Sequence, residues 1–551
     1  MAKSVDALTV KDALGVVEAC EKVYEAARLH VKGLVSKDGK IASALLDQHQ
    51  MEAHAIAYMR TDTIASRNLI EWVERLEKAG ELTDYERRIM IAFIAEAAAK
   101  FGAAIEMGPV EKVKVSELGV DHALLQKTIW SEPVWSFVEA GASLANYREI
   151  AKHARATKGT GKFGLGDETL EMIQDQFAKF ANEEIIPVAP KIHDENKLIP
   201  IEIVNKMAEL GVFSLTIPEE YGGAGLGKLS MVVVTEELSR GYIGAGSLGT
   251  RSEIAGELIR LGGTEAQKQH WLPKLATGEI LPTAVFTEPN NGSDLATAKC
   301  RADKVEGGYK LSGQKTWITH AGRADLMTVI ARSIPTEKGY KGLSMFLAEK
   351  TRGTDENPFP DEGIDGTEIE VLGYRGMREY EMSFDGFFVK EENLLGGAEG
   401  AAFKQLMATF ESARIQTAAR AVGLAQAAFD LGLRYAEERP QFGRAIIEFP
   451  RMHRKIARMA VITQAARQIT YYSARQKDSD QRCDLEAGMA KLLATKVAWE
   501  VADSAVQIHG GNGYALEYPV SRVLVDSRVL SIFEGTSEIQ AHVVSRRLLE
   551  E

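Results

Sequence analysis

Ile532-Phe533-Glu534-Gly535-Thr536-Ser537-Glu538-Ile539-Gln540 stands near the end of the chain, after Gln507-Ile508-His509-Gly510-Gly511-Asn512-Gly513-Tyr514 and Glu517-Tyr518-Pro519. Glycine lets backbone approach a ligand closely, so a small molecule has room against the main chain at Gly535. A carboxylate set among apolar neighbours and glycines, as Glu534 is, suits a general base. A capped helix after a glycine turn would read the same way, and this segment alone does not separate the two. Context comes from upstream. Phe286-Thr287-Glu288-Pro289-Asn290-Asn291-Gly292-Ser293-Asp294 is followed by Gly313-Gln314-Lys315-Thr316-Trp317-Ile318-Thr319, and later by Glu438-Arg439-Pro440-Gln441-Phe442-Gly443-Arg444.

In this order the stretches resemble the acyl-CoA dehydrogenase family of flavoproteins. The family's TEPxxGSD, GxKxWIT, RxxFGR, GGxGY and EGTSEIQ patterns all occur, over roughly Asp167 to the C-terminus. One such pattern is weak, whereas the ordered set is specific. The resemblance implies a mostly α fold with a central β-domain: an α-helical domain, a small β-domain and a C-terminal four-helix bundle. This chain adds an N-terminal helical extension. The expected boundaries are 1–160 for the extension, 161–281 for the α-domain, 282–395 for the β-domain and 396–551 for the bundle domain.

The chain has 551 residues, more than one compact core accommodates, so several domains are expected. Its net charge of -12 and lack of a basic stripe argue against nucleic acid as a main partner. Cys20, Cys300 and Cys483 lie far apart with no CxxC pair, which suggests neither a disulfide framework nor a zinc site. Met1 to Val10 has no apolar signal core, and no apolar run is long enough to span a bilayer. The expected setting is the bacterial cytoplasm.

Val16, Cys20, Tyr24, Ala27 and Val31 recur at helical spacing, and further helices are predicted over Met51–Leu76 and Tyr85–Phe101. Trp130, Trp135 and Phe137 are expected to seat a later segment in a core. Gly159, Gly161, Gly164 and Gly166 predict a flexible break between extension and family domains. Helices are predicted over Asp167–Phe180, Pro200–Leu210, Leu229–Arg240 and Ile254–Leu261. The glycine-rich loop Ile217–Gly225 is a poor dinucleotide fingerprint, because Lys228 stands where the last glycine would be. Strands are predicted over Tyr309–Ile318, Leu326–Ala331 and Leu343–Ala348. Long helices return over Ala413–Arg439, Met452–Lys477 and Asp484–Gly510.

Desaturating a thioester removes a weakly acidic proton beside the carbonyl and a hydride from the next carbon. A carboxylate can take the proton only if fixed donors stabilise the developing enolate. Amino acids offer no hydride acceptor, so a cofactor must. The resemblance implies FAD for that role and Glu534 as the base, with its backbone N–H and a flavin ribityl hydroxyl on the thioester oxygen. Some relatives carry the base on another helix, at the place held here by Ala413, and alanine has no proton to exchange. Phe286, Thr287, Ser293, Trp317 and Thr319 match flavin-ring contacts, with Trp317 shielding one face. A core tryptophan at a strand end is the alternative for Trp317. Arg439, Gln441, Phe442, Gln507, Gly510 and Gly511 match residues reaching the adenine and pyrophosphate from a neighbouring subunit. Thr536 and Glu538 follow toward the adenosine, although relatives often have glutamine in place of Glu538.

Glu411 and Arg414 match the region of the CoA arm, or else form a helix-surface ion pair. The substrate expected is a short, branched dicarboxylic acyl-CoA, whose free carboxylate needs a buried cation. Arg251 falls near the acyl-pocket floor of the family, and Ser293 and Gly535 complete the substrate contacts. Pairing of Arg251 with Glu253 or Glu257 is the alternative. Electrons would pass to an electron-transfer flavoprotein. A monocarboxylic acyl-CoA dehydrogenase and an oxidase of the same fold remain open. A homodimer is expected, because an extension docked on the outer bundle face would block the family's common tetramer.

Overall fold

The computed structural model describes residues 4–479 and 481–551. The extension is built on α1 (Val10–Val35), α2 (Gln50–Lys78), α3 (Asp84–Phe101) and α4 (Leu144–Thr157). Thr9 with Asp12 and Thr83 with Glu86 close capping boxes at the starts of α1 and α3, satisfying N–H groups that a helix start leaves free. The stripe read from α1 is the buried one: Val16, Cys20, Tyr24, Ala27 and Val31 all lie in the core. Of the three aromatic residues after α3, Phe137 is buried but Trp135 is 40% exposed. Trp135 therefore seats nothing in a core; its indole N–H donates to Glu139 at the surface.

The chain divides into two compact units, Met1–Met172 with Thr417–Glu551, and Ile173–Gln416. In the second, α5 (Lys228–Gly241) and α6 (Ile243–Gly262) precede a seven-stranded mixed sheet. Its strands are β1 (Pro282–Val285), β2 (Arg301–Val305), β3 (Gly308–Thr319), β4 (Leu326–Arg332), β5 (Leu343–Glu349), β6 (Ile364–Ile369) and β7 (Glu379–Lys390). Their order is β6-β7-β3-β2-β4-β1, with β5 paired to β4. Leu326 to Ala331 and Leu343 to Ala348 are buried without alternation, as expected of strands covered on both faces. The β3–β7 ladder pairs Ile318 with Tyr380 but Lys315 with Met382, so Thr316 and Trp317 form a bulge in β3 opposite Glu381. α6 starts eleven residues before the predicted Ile254. Gly244, Gly246 and Gly249 lower helix propensity, but Gly246 and Gly249 sit where an added β-carbon would meet Ser239 or Val212. Close packing, rather than propensity, sets those glycines.

The helix α7 (Ala402–Glu438) crosses the division between the units; α8 (Pro450–Asp478), α9 (Asp484–His509) and α10 (Ser537–Glu550) complete the bundle in the first unit. There α2 packs on α8, α9 and α10, while α3 and α4 pack on α8. Ion pairs cross this contact from Glu96 on α3 to Arg454 and Arg458 on α8. The apolar stripes of the extension are thus covered by the chain's own bundle.

The segment Thr157 to Gly166 is not the flexible break its glycines predict. Tyr85 donates to the Gly159 carbonyl at 2.8 Å. Thr160 is buried between Gln426 and Arg467. The Lys162 carbonyl accepts from Trp72 Nε1 at 3.1 Å and Gln464 Nε2 at 2.9 Å, and the Phe163 carbonyl from Gln468 at 2.9 Å. Arg467 sits 4.5 Å above the Phe163 ring. Buried backbone groups need partners, and side chains from α2, α3, α7 and α8 supply them to this strap.

Candidate active site

In the first unit, Glu534 ends the short loop after Val529 and adopts a left-handed backbone, φ 54°, followed by Gly535 at φ 87°. A residue with a β-carbon meets steric cost there. Such outliers gather at functional sites. Thr536 N-caps α10, its hydroxyl accepting from Ile539 N at 3.3 Å, and Glu538 lies exposed in the first turn. The Gln540 amide donates to the carbonyls of Glu534 at 3.2 Å and Gly535 at 3.3 Å, and Lys491 Nζ donates to the Gly535 carbonyl at 2.5 Å. Lys491, 1% exposed on α9, is a residue the sequence reading missed. Its only local signal is one charge within the apolar run Gly488–Ala494.

The same unit holds the hairpin of Pro440-Gln441 with Arg444-Ala445. Phe442 and Gly443, both at positive φ, form its two-residue tip, the primed geometry that matches strand twist. Phe442 is 92% exposed, and Arg439 and Gln441 are exposed with it. At the end of α9, Gly510 takes φ 60°, and Gln507, Gly510 and Gly511 all face solvent in the single chain. The turn is held from behind, where His509 stacks on Tyr435 at 4.2 Å and Asn512 donates to Tyr435 and Tyr518.

In the second unit, Glu288 and Lys315 form a buried ion pair at 3.0 Å. Lys315 also donates to the Phe286 carbonyl, and Glu288 accepts from the N–H groups of Lys299 and Cys300. Burial pushes the Glu288 carboxyl up, but Lys315 and the two N–H donors outweigh it and hold the pKa below the ordinary value. This clamp ties the 286–294 stretch to β3. Ser293 is exposed on it, and Phe286 and Thr287 are half-buried. Trp317 adopts φ 58° at the bulge and is 57% exposed, so it is not a core tryptophan at a strand end. Thr319 is buried, and its hydroxyl donates to Glu379 at 3.0 Å.

Glu379 was not legible in the sequence, because it reaches Thr319 only through strand pairing. Burial raises its pKa to about 7, against the Thr319 hydrogen bond and the charge of Arg251. Burial and the fields of Arg323, Arg352, Arg251 and Lys350 lower His320 to about 3. Between about pH 3 and 7, His320 and Glu379 are therefore both mainly neutral beside the Arg251 guanidinium. Arg251 is buried on α6, while Glu253 and Glu257 are both engaged by Lys228. On α7, Glu411 is buried, Arg414 lies 5.9 Å over the Phe410 ring, and Ala413 belongs to an apolar core with Leu258 and Leu406. Among the described residues, no helix is long and apolar enough to cross a membrane.

Family models for the acyl-CoA dehydrogenase N-terminal, middle and C-terminal domains match residues 167–279, 283–387 and 400–549. The chain belongs to the acyl-CoA dehydrogenase family, a family of flavin-dependent oxidoreductases. Among characterised relatives, (2S)-methylsuccinyl-CoA dehydrogenase of Cereibacter sphaeroides is 55% identical over 550 residues, 99% of this chain and 98% of that protein. A solved glutaryl-CoA dehydrogenase in complex with glutaryl-CoA superposes with TM-score 0.64 at 34% identity, covering 69% of this chain and 94% of that one. A structure of the electron transferring flavoprotein of Acidaminococcus fermentans gives TM-score 0.66 at 34% identity, covering 70% of this chain and 99% of that one.

Proposed function

We propose that this chain desaturates (2S)-methylsuccinyl-CoA to mesaconyl-CoA, using FAD and passing the electrons to an electron-transfer flavoprotein. The observation that carries this reading is the 55% identity to a methylsuccinyl-CoA dehydrogenase along 99% of the chain, extension included. The residues present fit FAD: an exposed tryptophan face beside Thr319 suits a planar ring, and the exposed Arg439 and Gln441 suit a pyrophosphate. Phe286, Thr287, Ser293, Trp317 and Thr319 would hold the ring system. Arg439, Gln441, Phe442, Gln507, Gly510, Gly511, Thr536 and Glu538 would hold the remainder. When bound, FAD supplies the hydride acceptor that side chains lack.

Glu534 takes the α-proton, and its backbone N–H donates to the thioester oxygen; such a donor contributes on the order of 10²–10³ in rate. Arg251 binds the distal carboxylate, in keeping with its burial and with the lowered pKa of His320 and the raised pKa of Glu379. Glu411 and Arg414 bind the CoA arm, and Ser293 and Gly535 line the substrate. We infer a homodimer in the bacterial cytoplasm. The packing of α2, α3 and α4 on the chain's own bundle supports the oligomeric state, and the bacterial relative supports the setting.

The test is kcat/KM of Arg251→Ala for methylsuccinyl-CoA against butyryl-CoA. Breaking a buried ion pair costs about 3–5 kcal/mol, so the dicarboxylic ester should lose about two to four orders of magnitude and the uncharged ester little. Equal losses would make Arg251 structural, and a wild type preferring butyryl-CoA would end the dicarboxylate reading.

A further inference from the structure

We propose that Lys491 is a positioning residue for Glu534, with Gln540 as its second arm; this rests on Glu534 being the base. Glu534 and Gly535 are consecutive residues at positive φ, 54° and 87°. Only Gly535 adopts that region without steric cost. A left-handed glutamate persists when its surroundings over-determine it. Here the surroundings are two donors aimed at two successive carbonyls. Gln540 forks between the Glu534 and Gly535 oxygens, and the Lys491 ammonium meets the Gly535 oxygen. Together they fix the two peptide planes that follow the base.

Holding those planes restrains rotation about ψ of Glu534, and with it the direction in which its side chain leaves the turn. Lys491 does this from the middle of α9, the helix that ends at Gln507, Gly510 and Gly511. A charged donor on a carbonyl is stronger than a neutral one. The cation is buried, 1% exposed, so water does not screen it as at a surface. The site also rejects side chains at Gly535, where an added β-carbon would lie 2.5 Å from Gln540 Nε2. Lys491 touches neither substrate nor reacting atoms in this assignment; it acts through the turn.

The experiment uses flavin-loaded full-length protein and compares Lys491→Met, Lys491→Arg, Gln540→Leu and Glu534→Gln. Two readouts are taken: steady-state kcat and KM, and exchange of α-deuterium in 3-thiabutyryl-CoA, whose sulfur at the β position leaves no hydride to transfer. Lys491→Met should keep flavin stoichiometry and KM within about threefold, yet lose on the order of 10²-fold in kcat and in exchange, the scale of one misaligned donor. Lys491→Arg should restore part of both. If Lys491→Met carries no flavin, Gln540→Leu decides by the same readouts. A flavin-loaded Lys491→Met or Gln540→Leu with wild-type exchange overturns the proposal. Loss of folding in both assigns the contacts to the fold and overturns it too. Wild-type exchange in Glu534→Gln would instead overturn the base assignment itself.

Discussion

Substituting alanine at three glycines of the strap measures how firmly it is held. Gly164 has φ 64°, and a β-carbon there would lie 2.6 Å from Trp72 Cδ1 and 2.8 Å from Nε1. Trp72 is fully buried and donates to the Lys162 carbonyl. Gly164→Ala therefore combines a left-handed penalty of about 1–2 kcal/mol with overpacking of about 1–3 kcal/mol. Displacing the indole would add about 1–3 kcal/mol for an unsatisfied buried donor. Gly166 has φ 70° with nothing within 4 Å of an added β-carbon, so Gly166→Ala costs the backbone penalty alone, about 1–2 kcal/mol. Gly159 is not at positive φ and has only the Thr157 carbonyl at 3.8 Å; Gly159→Ala should be neutral or mildly stabilising. At about 2 °C per kcal/mol for a large unit, scanning calorimetry of the holoenzyme should show Gly164→Ala lower by about 5 °C or more, Gly166→Ala by about 2–4 °C and Gly159→Ala unchanged. Equal shifts for all three, or none for Gly164→Ala, would mean the strap is not held as described.

Glu379 gives a pH dependence. Its folded pKa of about 7 lies above the unfolded carboxyl value, so the folded state binds the extra proton between roughly pH 4.5 and 7. Its contribution is fully present below that window and is lost as pH rises through 7, by up to about 3 kcal/mol. Glu379→Gln should therefore unfold at a progressively higher Tm than wild type between pH 5 and 8, and parallel curves would contradict the assignment. Light scattering should give twice the 60.3 kDa chain mass, and a tetramer would exclude the inference that the extension blocks further assembly. Deleting the extension should produce aggregation at micromolar concentration, since α8, α9 and α10 would expose the faces that α2 now covers.

Contiguous information was legible in the sequence, and information carried by folding was not. Long amphipathic helices came close to their limits: Met51–Leu76 is observed as Gln50–Lys78, and Met452–Lys477 as Pro450–Asp478. The strand Leu343–Ala348 extends by one residue. Motif residues such as Glu534, Trp317 and Phe442 stand out as candidates because each sits among its own signature. All three then proved to be left-handed, which no residue pattern states. Glu379 and Lys491 escaped because their partners, Thr319 and Gly535, lie 60 and 44 residues away. The strap was misread for the same reason. Its glycines permit freedom, and what removes that freedom is Tyr85, Trp72 and Arg467, all distant in sequence.

The pairing of Met1–Met172 with Thr417–Glu551 in one unit also sets an order of assembly on the ribosome. The extension emerges first, but α8, α9 and α10, which cover it, emerge only after residues 173–416 have been made. At about 5–20 residues per second, the face of α2 that packs on α8, α9 and α10 waits on the order of ten seconds or more uncovered. Until then the newborn chain presents the kind of surface that chaperones bind, and the final helix, which begins directly after Glu534 and Gly535, is the last to arrive. The turn that carries Glu534 is thus set in place by the same late event that buries the beginning of the chain.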